Sequence, residues 1–120
     1  MGGRPPEYTG RAWELHPPVV RRAHRHQGIG RMLVDAFEAA AGQRGAPTVT
    51  LGTDDDSHMT SLAGVDLYQD VARYLTELRD LGRGHPVAFY RKLGYVVTGV
   101  TPDANGVGRP DIYMSKAMVR

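Results

Sequence analysis

The run Arg25-His26-Gln27-Gly28-Ile29-Gly30 sets two glycines one residue apart, directly after a basic cluster and directly before an apolar-periodic segment. That order suits an anion. Glycine lets a ligand approach the backbone, and a helix beginning there turns unpaired N–H groups and the positive end of its dipole toward a phosphate. Arg21, Arg22, Arg25, His26 and Arg31 add positive charge around it. The dinucleotide fingerprint wants a third glycine where Leu33 stands, and the Gly-Lys-Ser/Thr of a nucleoside-triphosphate loop is absent. The run therefore reads as a phosphate cradle of another kind.

Two further sets of residues carry proton or cation chemistry. Glu14 and His16 lie two apart on what reads as one strand, so both side chains leave the same face. A histidine, with a reference pKa near 6.5, is suited to taking a proton from an ammonium group near neutrality. Glu14 can bind the cation, orient the imidazole or act as the base itself, and a structural hydrogen bond between the two fits the same spacing. Asp54, Asp55 and Asp56 follow a short strand, where carboxylates can receive the ammonium groups of an aminosugar or polyamine. Asp103 and Asp111 extend that surface, although loop aspartates also serve turns and helix caps. His24, His26 and His58 show no metal-ligand spacing with nearby carboxylates, so no metal is expected.

These groups need elements to hold them. Residues 1–11 are rich in glycine and proline without periodicity and read as a flexible N-terminus. Ala12 to Val20 reads as a strand that Pro17 and Pro18 force to be edge-like, bulged or splayed, or simply end. From Gly28 to Gly42 the residues Ile29, Met32, Leu33, Ala36, Phe37 and Ala40 recur at the spacing of an amphipathic helix, which Gly45, Ala46 and Pro47 terminate. Thr48 to Gly52 reads as a buried strand, 57–64 as a loop, and Val65 to Leu81 as a helix through Leu67, Val71, Tyr74, Leu75 and Leu78. Pro86 to Leu93 reads as a short helix with proline in its first turn and Gly94 after its end. Tyr95 to Val100 and Asp111 to Met118 alternate as strands around the turn-rich 102–108. Strands interleaved with helices give an α/β chain, organised as one domain over residues 12–120.

With 120 residues the chain has room for one domain. It lacks cysteine, which excludes disulfides, thiolate metal sites and an acyl-cysteine intermediate. No stretch approaches the apolar length of a membrane span, and a cytoplasmic enzyme without membrane contact is expected. The net charge of +2 is too small for a nucleic-acid footprint, and the arginines of 21–31 lack interleaved aromatics. Basic residues gather before residue 33, whereas Asp54, Asp55, Asp56, Asp66, Asp70, Glu77 and Asp80 make the middle acidic. A basic zone for an anionic cofactor beside an acidic zone for a cationic substrate fits this pattern, as do ordinary solvated charges.

The segment Arg25 to Gly30 resembles the (Arg/Gln)-x-x-Gly-x-(Gly/Ala) signature of the GNAT superfamily of N-acetyltransferases. A second block, Pro86 to Tyr95, is similar to that family's A-x-x-x-Tyr-x-x-x-Gly-Phe helix and turn. The stretches Trp13 to Pro17, Leu51 to Asp55, His85-Pro86 with Phe89-Tyr90, Pro102 to Gly106 and Pro110 to Ile112 resemble the aminoglycoside 6′-N-acetyltransferase branch.

The resemblance implies a mixed sheet with flanking helices and acetyl-CoA as co-substrate. Its pyrophosphate would lie at Arg25, His26, Gln27, Gly28, Ile29, Gly30 and Arg31. Val19 and Val20 would pair with pantetheine, Val19 also offering a backbone N–H to the developing oxyanion. Tyr90 would stand beside the thioester sulfur and protonate the departing thiolate, a phenol of pKa about 10 matching such a leaving group; a packing tyrosine is the alternative. His85 stands near the family's pantetheine-binding asparagine, a helix cap being its alternative role. Glu14 and His16 would supply the base for direct transfer to an amine, with Asp54, Asp55 and Asp56 on the substrate side.

The resemblance covers nearly all of residues 12–118 but only the C-terminal half of the family's fold. A sheet begun there leaves an edge and an apolar face uncovered, which implies a homodimer. The alternative is a non-catalytic acyl-CoA-binding or dimerising remnant.

Overall fold

A computed structural model of the chain describes residues 11–15 and 27–118, Gln27 through its backbone alone. The elements run β1 (Ala12–Glu14), α1 (Gln27–Gln43), β2 (Thr48–Asp54), a 3₁₀ turn at Leu67–Gln69, α2 (Val71–Thr76), α3 (Pro86–Lys92), β3 (Val96–Thr101) and β4 (Asp111–Ala117). They build one mixed sheet in the order β1-β2-β4-β3. β1 and β2 are parallel, which requires a crossover, and α1 lies between them in the chain. β4 runs antiparallel to both β2 and β3.

The pleat sorts the side chains. Val49 and Leu51 of β2, with Ile112 and Met114 of β4, point into the core, joined by Trp13 and Leu15. α1 and α3 press on this same face. The Phe37 ring meets Trp13 edge-on at 5.5 Å, and Tyr90 meets Tyr95 edge-on at 5.5 Å. Lys116 on β4 reaches Glu38 of α1 at 3.0 Å, and the Tyr95 hydroxyl donates to the other Glu38 oxygen at 2.8 Å. Burial and the Glu38 carboxylate together push the Tyr95 phenol up, so it stays a donor. The opposite sheet face is polar, carrying Glu14, Thr50, Asp54, Asp111, Tyr113 and Ser115.

Three expectations shift. β2 continues two residues past Gly52 to Asp54, because Asp54 pairs across to Asp111. The helix expected over 65–81 is broken: Asp66 accepts from the Tyr68 amide and Asp70 from the Arg73 amide, each capping a short turn in place of one continuous ladder. Beyond α2 the chain is extended, Ser61 donating to the Arg79 carbonyl and Leu81 to that of Met59. On α1 the buried ridge is Gly30, Val34 and Ala41 with the half-buried Phe37, whereas Ile29, Met32 and Leu33 are exposed. Two neighbouring ridges of this helix are apolar, and periodicity alone does not choose between them. The strand expected over 12–20 is described only at Ala12–Glu14, so the role of Pro17 and Pro18 lies outside the described residues.

The β3–β4 connection is anchored at one close crossing. Gly108 has φ +75°, and a Cβ there would stand 3.0 Å from the Gly64 Cα, whose own amide donates to the Gly108 carbonyl at 3.0 Å. Asp103 adds a carboxylate bond to the Gly108 amide at 2.8 Å, which assigns it to the turn. Gly108→Ala should lower unfolding stability by about 2 kcal/mol or more, from left-handed strain plus a backbone clash. Urea denaturation checks this; an unchanged midpoint would contradict the crossing.

Candidate functional site

α1 begins with no acidic residue in its first turn, so nothing there neutralises the positive helix end. Gly28 is exposed, and a Cβ added to it would meet none of the described residues within 4 Å, which leaves room for a ligand group against the backbone. Ile29 and Arg31 are also exposed, and Arg31 reaches Asp35 only at 4.0 Å in a solvated pair. Arg25 and His26, together with Val19, Val20 and His16, lie outside the described residues, as does the Gln27 side chain.

Tyr90 sits midway along α3, wholly buried between the rings of Phe89 and Tyr95. Among the described residues its hydroxyl has no hydrogen-bond partner. A buried hydroxyl left unpaired costs about 1–3 kcal/mol. Burial pushes the phenol up, so it stays protonated, a hydrogen-bond donor but a weaker acid than the free phenol expected to match the leaving thiolate. Trp13 Nε1 is the other buried side-chain group without a partner among the described residues.

His85 precedes α3 and is buried. Its Nδ1 accepts from the Val87 amide at 3.0 Å, and its Nε2 donates to the Asp54 carbonyl at 2.8 Å. Both ring nitrogens are thus engaged within the protein, the geometry of a helix cap.

The three consecutive aspartates have three different surroundings. Asp55 turns inward, where its carboxylate accepts from the Met59 amide at 2.7 Å, the Thr60 amide at 2.8 Å and the Thr60 hydroxyl at 2.6 Å. Burial alone would raise its pKa, but these hydrogen bonds from Met59 and Thr60 outweigh it and hold the group below its ordinary value. Asp55 therefore staples the 55–60 loop and does not face an amine. Asp56 is exposed and bonds Ser57. Asp54, at the end of β2, shares the polar face with its register partner Asp111.

Burial, a hydrogen bond from Asp111 to Asp54 and the Asp54 charge push Asp111 up to about 6; the Tyr113 hydroxyl pulls the other way, and Glu14 adds to the upward push. Glu14, opposite Thr50 on the same face, adds its charge to that of the Asp54–Asp111 pair. Tyr113 completes this face. Its hydroxyl bonds Thr101 at 2.8 Å, and its ring lies between Gly52 and Gly99, each of which would place a Cβ 3.5–3.6 Å from it. Sequence reasoning missed Tyr113, although Asp111 and Tyr113, two apart on a strand, must share a face. Among the described residues no group of three or more His, Cys, Asp or Glu is arranged to hold a metal ion.

The family model for GNAT acetyltransferases matches residues 1–69. The chain is 42% identical to the aminoglycoside 6′-N-acetyltransferase of Enterococcus faecium, with a TM-score of 0.83 over 96% of this chain and 65% of that one. It is 43% identical to an aminoglycoside 6′-N-acetyltransferase complexed with coenzyme A, with a TM-score of 0.86 over 96% of this chain and 63% of the other. Ard1 from Thermoplasma volcanium, 18% identical with a TM-score of 0.54, shares the fold. The chain thus spans less than two thirds of the length of these two aminoglycoside acetyltransferases. A search of curated proteins gives no match.

The carboxyl pair carries a pH signature. Asp111 binds its proton more tightly folded, near 6, than at its ordinary 3.8, so its stabilising contribution is complete below the lower value and lost as pH rises through the upper one. Asp111→Asn keeps a donor toward Asp54 without a charge. The variant should melt about 3 °C above the wild type near pH 7 and level with it near pH 4. A melting difference independent of pH would contradict the shared proton.

Proposed function

The chain belongs to the GNAT acetyltransferase family, and on that premise we propose that it is a cytoplasmic N-acetyltransferase. It transfers the acetyl group of acetyl-CoA directly to a primary amine of an aminoglycoside or similar polycationic small molecule. The observation that carries this reading is the buried Tyr90 hydroxyl without a partner, on a helix beside the acidic end of β2. Such an orphan donor is sustained when a ligand atom meets it.

The residues fit the co-substrate. The start of α1, free of acidic side chains and open at Gly28, suits a pyrophosphate, with Gln27, Ile29, Gly30 and Arg31 around it. Arg25, His26, Val19 and Val20 belong to this proposal through the sequence resemblance alone. Bound acetyl-CoA supplies an activated acetyl thioester. Tyr90, held protonated by burial, donates its proton to the leaving sulfur. The attacking amine gives its proton to Glu14 or His16.

Asp54 and Asp111, with Glu14 near them, hold the ammonium groups of the acceptor, and the Tyr113 ring offers a flat surface beside them. The protein works as a homodimer, for which the exposed Ile29, Met32 and Leu33 of α1 supply apolar surface beside β1, an edge strand among the described residues.

Tyr90→Phe should lower turnover by about 10²-fold while leaving acetyl-CoA affinity nearly unchanged, because the phenol acts on the leaving group in the transition state. Steady-state kinetics over a panel of aminoglycosides and polyamines, paired with calorimetry, reads both. A wild-type protein that binds acetyl-CoA and acetylates none of them would overturn the catalytic reading in favour of a CoA-binding remnant.

A further inference from the structure

His85 makes more bonds than a helix cap needs. An ordinary N-cap of serine, threonine, aspartate or asparagine accepts one amide hydrogen and ends there. The Nδ1 of His85 does this for Val87, while Nε2, on the far side of the ring, meets the Asp54 carbonyl at 2.8 Å. A carbonyl has no proton to give and an amide has no lone pair to offer, so the two partners together fix one neutral tautomer, protonated at Nε2. The backbone amide of His85 is held in turn by Asp80. The start of α3 is therefore tied by a rigid ring to the end of β2.

Two groups of the proposed reaction are joined by this tie. Asp54 turns its carbonyl to His85 and its side chain to Asp111 on the polar face. Tyr90 lies five residues beyond His85, about 7.5 Å along the helix. Among the described residues no hydrogen bond fixes its hydroxyl, so the phenol stands where the α3 backbone and the Phe89 and Tyr95 rings put it.

We propose that His85 is a positioning residue: by tying α3 to the Asp54 carbonyl it sets the Tyr90 phenol relative to the Asp54–Asp111 pair. The proposal rests on the reading of Tyr90 as proton donor. It also replaces the expected contact of His85 with pantetheine by a role within the protein.

His85→Asn separates the cap from the tie. Asparagine caps a helix well, but its side chain is shorter than the imidazole and leaves the Asp54 carbonyl without its donor. The full chain, labelled with ¹³C at the tyrosine ζ carbons, carries six tyrosines, and the Tyr90 resonance is identified by its loss in Tyr90→Phe. His85→Asn should remain folded, displace the Tyr90 resonance and lower kcat about 10-fold with the KM for acetyl-CoA within about twofold. The loss should largely vanish when measured on the Tyr90→Phe background, since both changes act through one phenol.

A Tyr90 resonance and kcat equal to those of wild type would reduce His85 to a cap and overturn the proposal. So would a kcat defect that adds in full to that of Tyr90→Phe. If the wild type acetylates no amine, the catalytic reading fails, and the resonance alone decides whether His85 positions Tyr90.

Discussion

Seven consecutive pairs between β2 and β4, with three more from β1 to the other edge of β2, form the constraint on which the rest of the molecule depends. Because β1 and β2 are parallel, a crossover must carry the chain back, and α1 packs on the sheet in that place. The same pairing brings the ends of β1 and β2 to one edge of the sheet, where a parallel arrangement gathers ligand groups. The start of α1 follows β1 in the chain, and the acidic pair and the tie to α3 both hang from Asp54, the last residue of β2.

Alternation along β2 then divides the work of neighbouring residues. Thr53 points into the core, Asp54 onto the polar face, and Asp55 back into the protein, where three donors consume its carboxylate. A carboxylate so satisfied is a structural bolt, and its lowered pKa keeps it charged across the physiological range. Asp54 and Asp111 face the opposite situation. They repel each other, and a shared proton relieves the repulsion. A polycationic amine would do the same with its own charge, which is the physical basis of the acceptor site proposed above.

Much of this was legible in the sequence. The 3.6-residue period gave α1, period two gave β3 and β4, and Pro86 with Gly94 bracketed α3 within a residue. The GNAT resemblance, carried by the glycine turn and the Tyr90 block, agrees with the family match and the shared fold.

What escaped has identifiable causes. The 65–81 segment has helical apolar spacing, yet Asp66 and Asp70 cap short turns inside it. The face of α1 was ambiguous because two adjacent ridges are apolar. Which of three aspartates faces outward depends on where β2 stops, and stopping it at Gly52 left all three equivalent. The second bond of His85 joins residues 31 apart in the chain and has no local signature.

The central claim is that the start of α1 and the Tyr90 helix together form a coenzyme A site. Titration of the ¹⁵N-labelled chain with coenzyme A, followed by amide chemical shifts, tests it most directly. The account predicts saturable shifts at Gly28, Ile29 and Gly30 and along α3 around Tyr90. Saturable binding that leaves these amides unmoved, or no binding at millimolar coenzyme A, would contradict it.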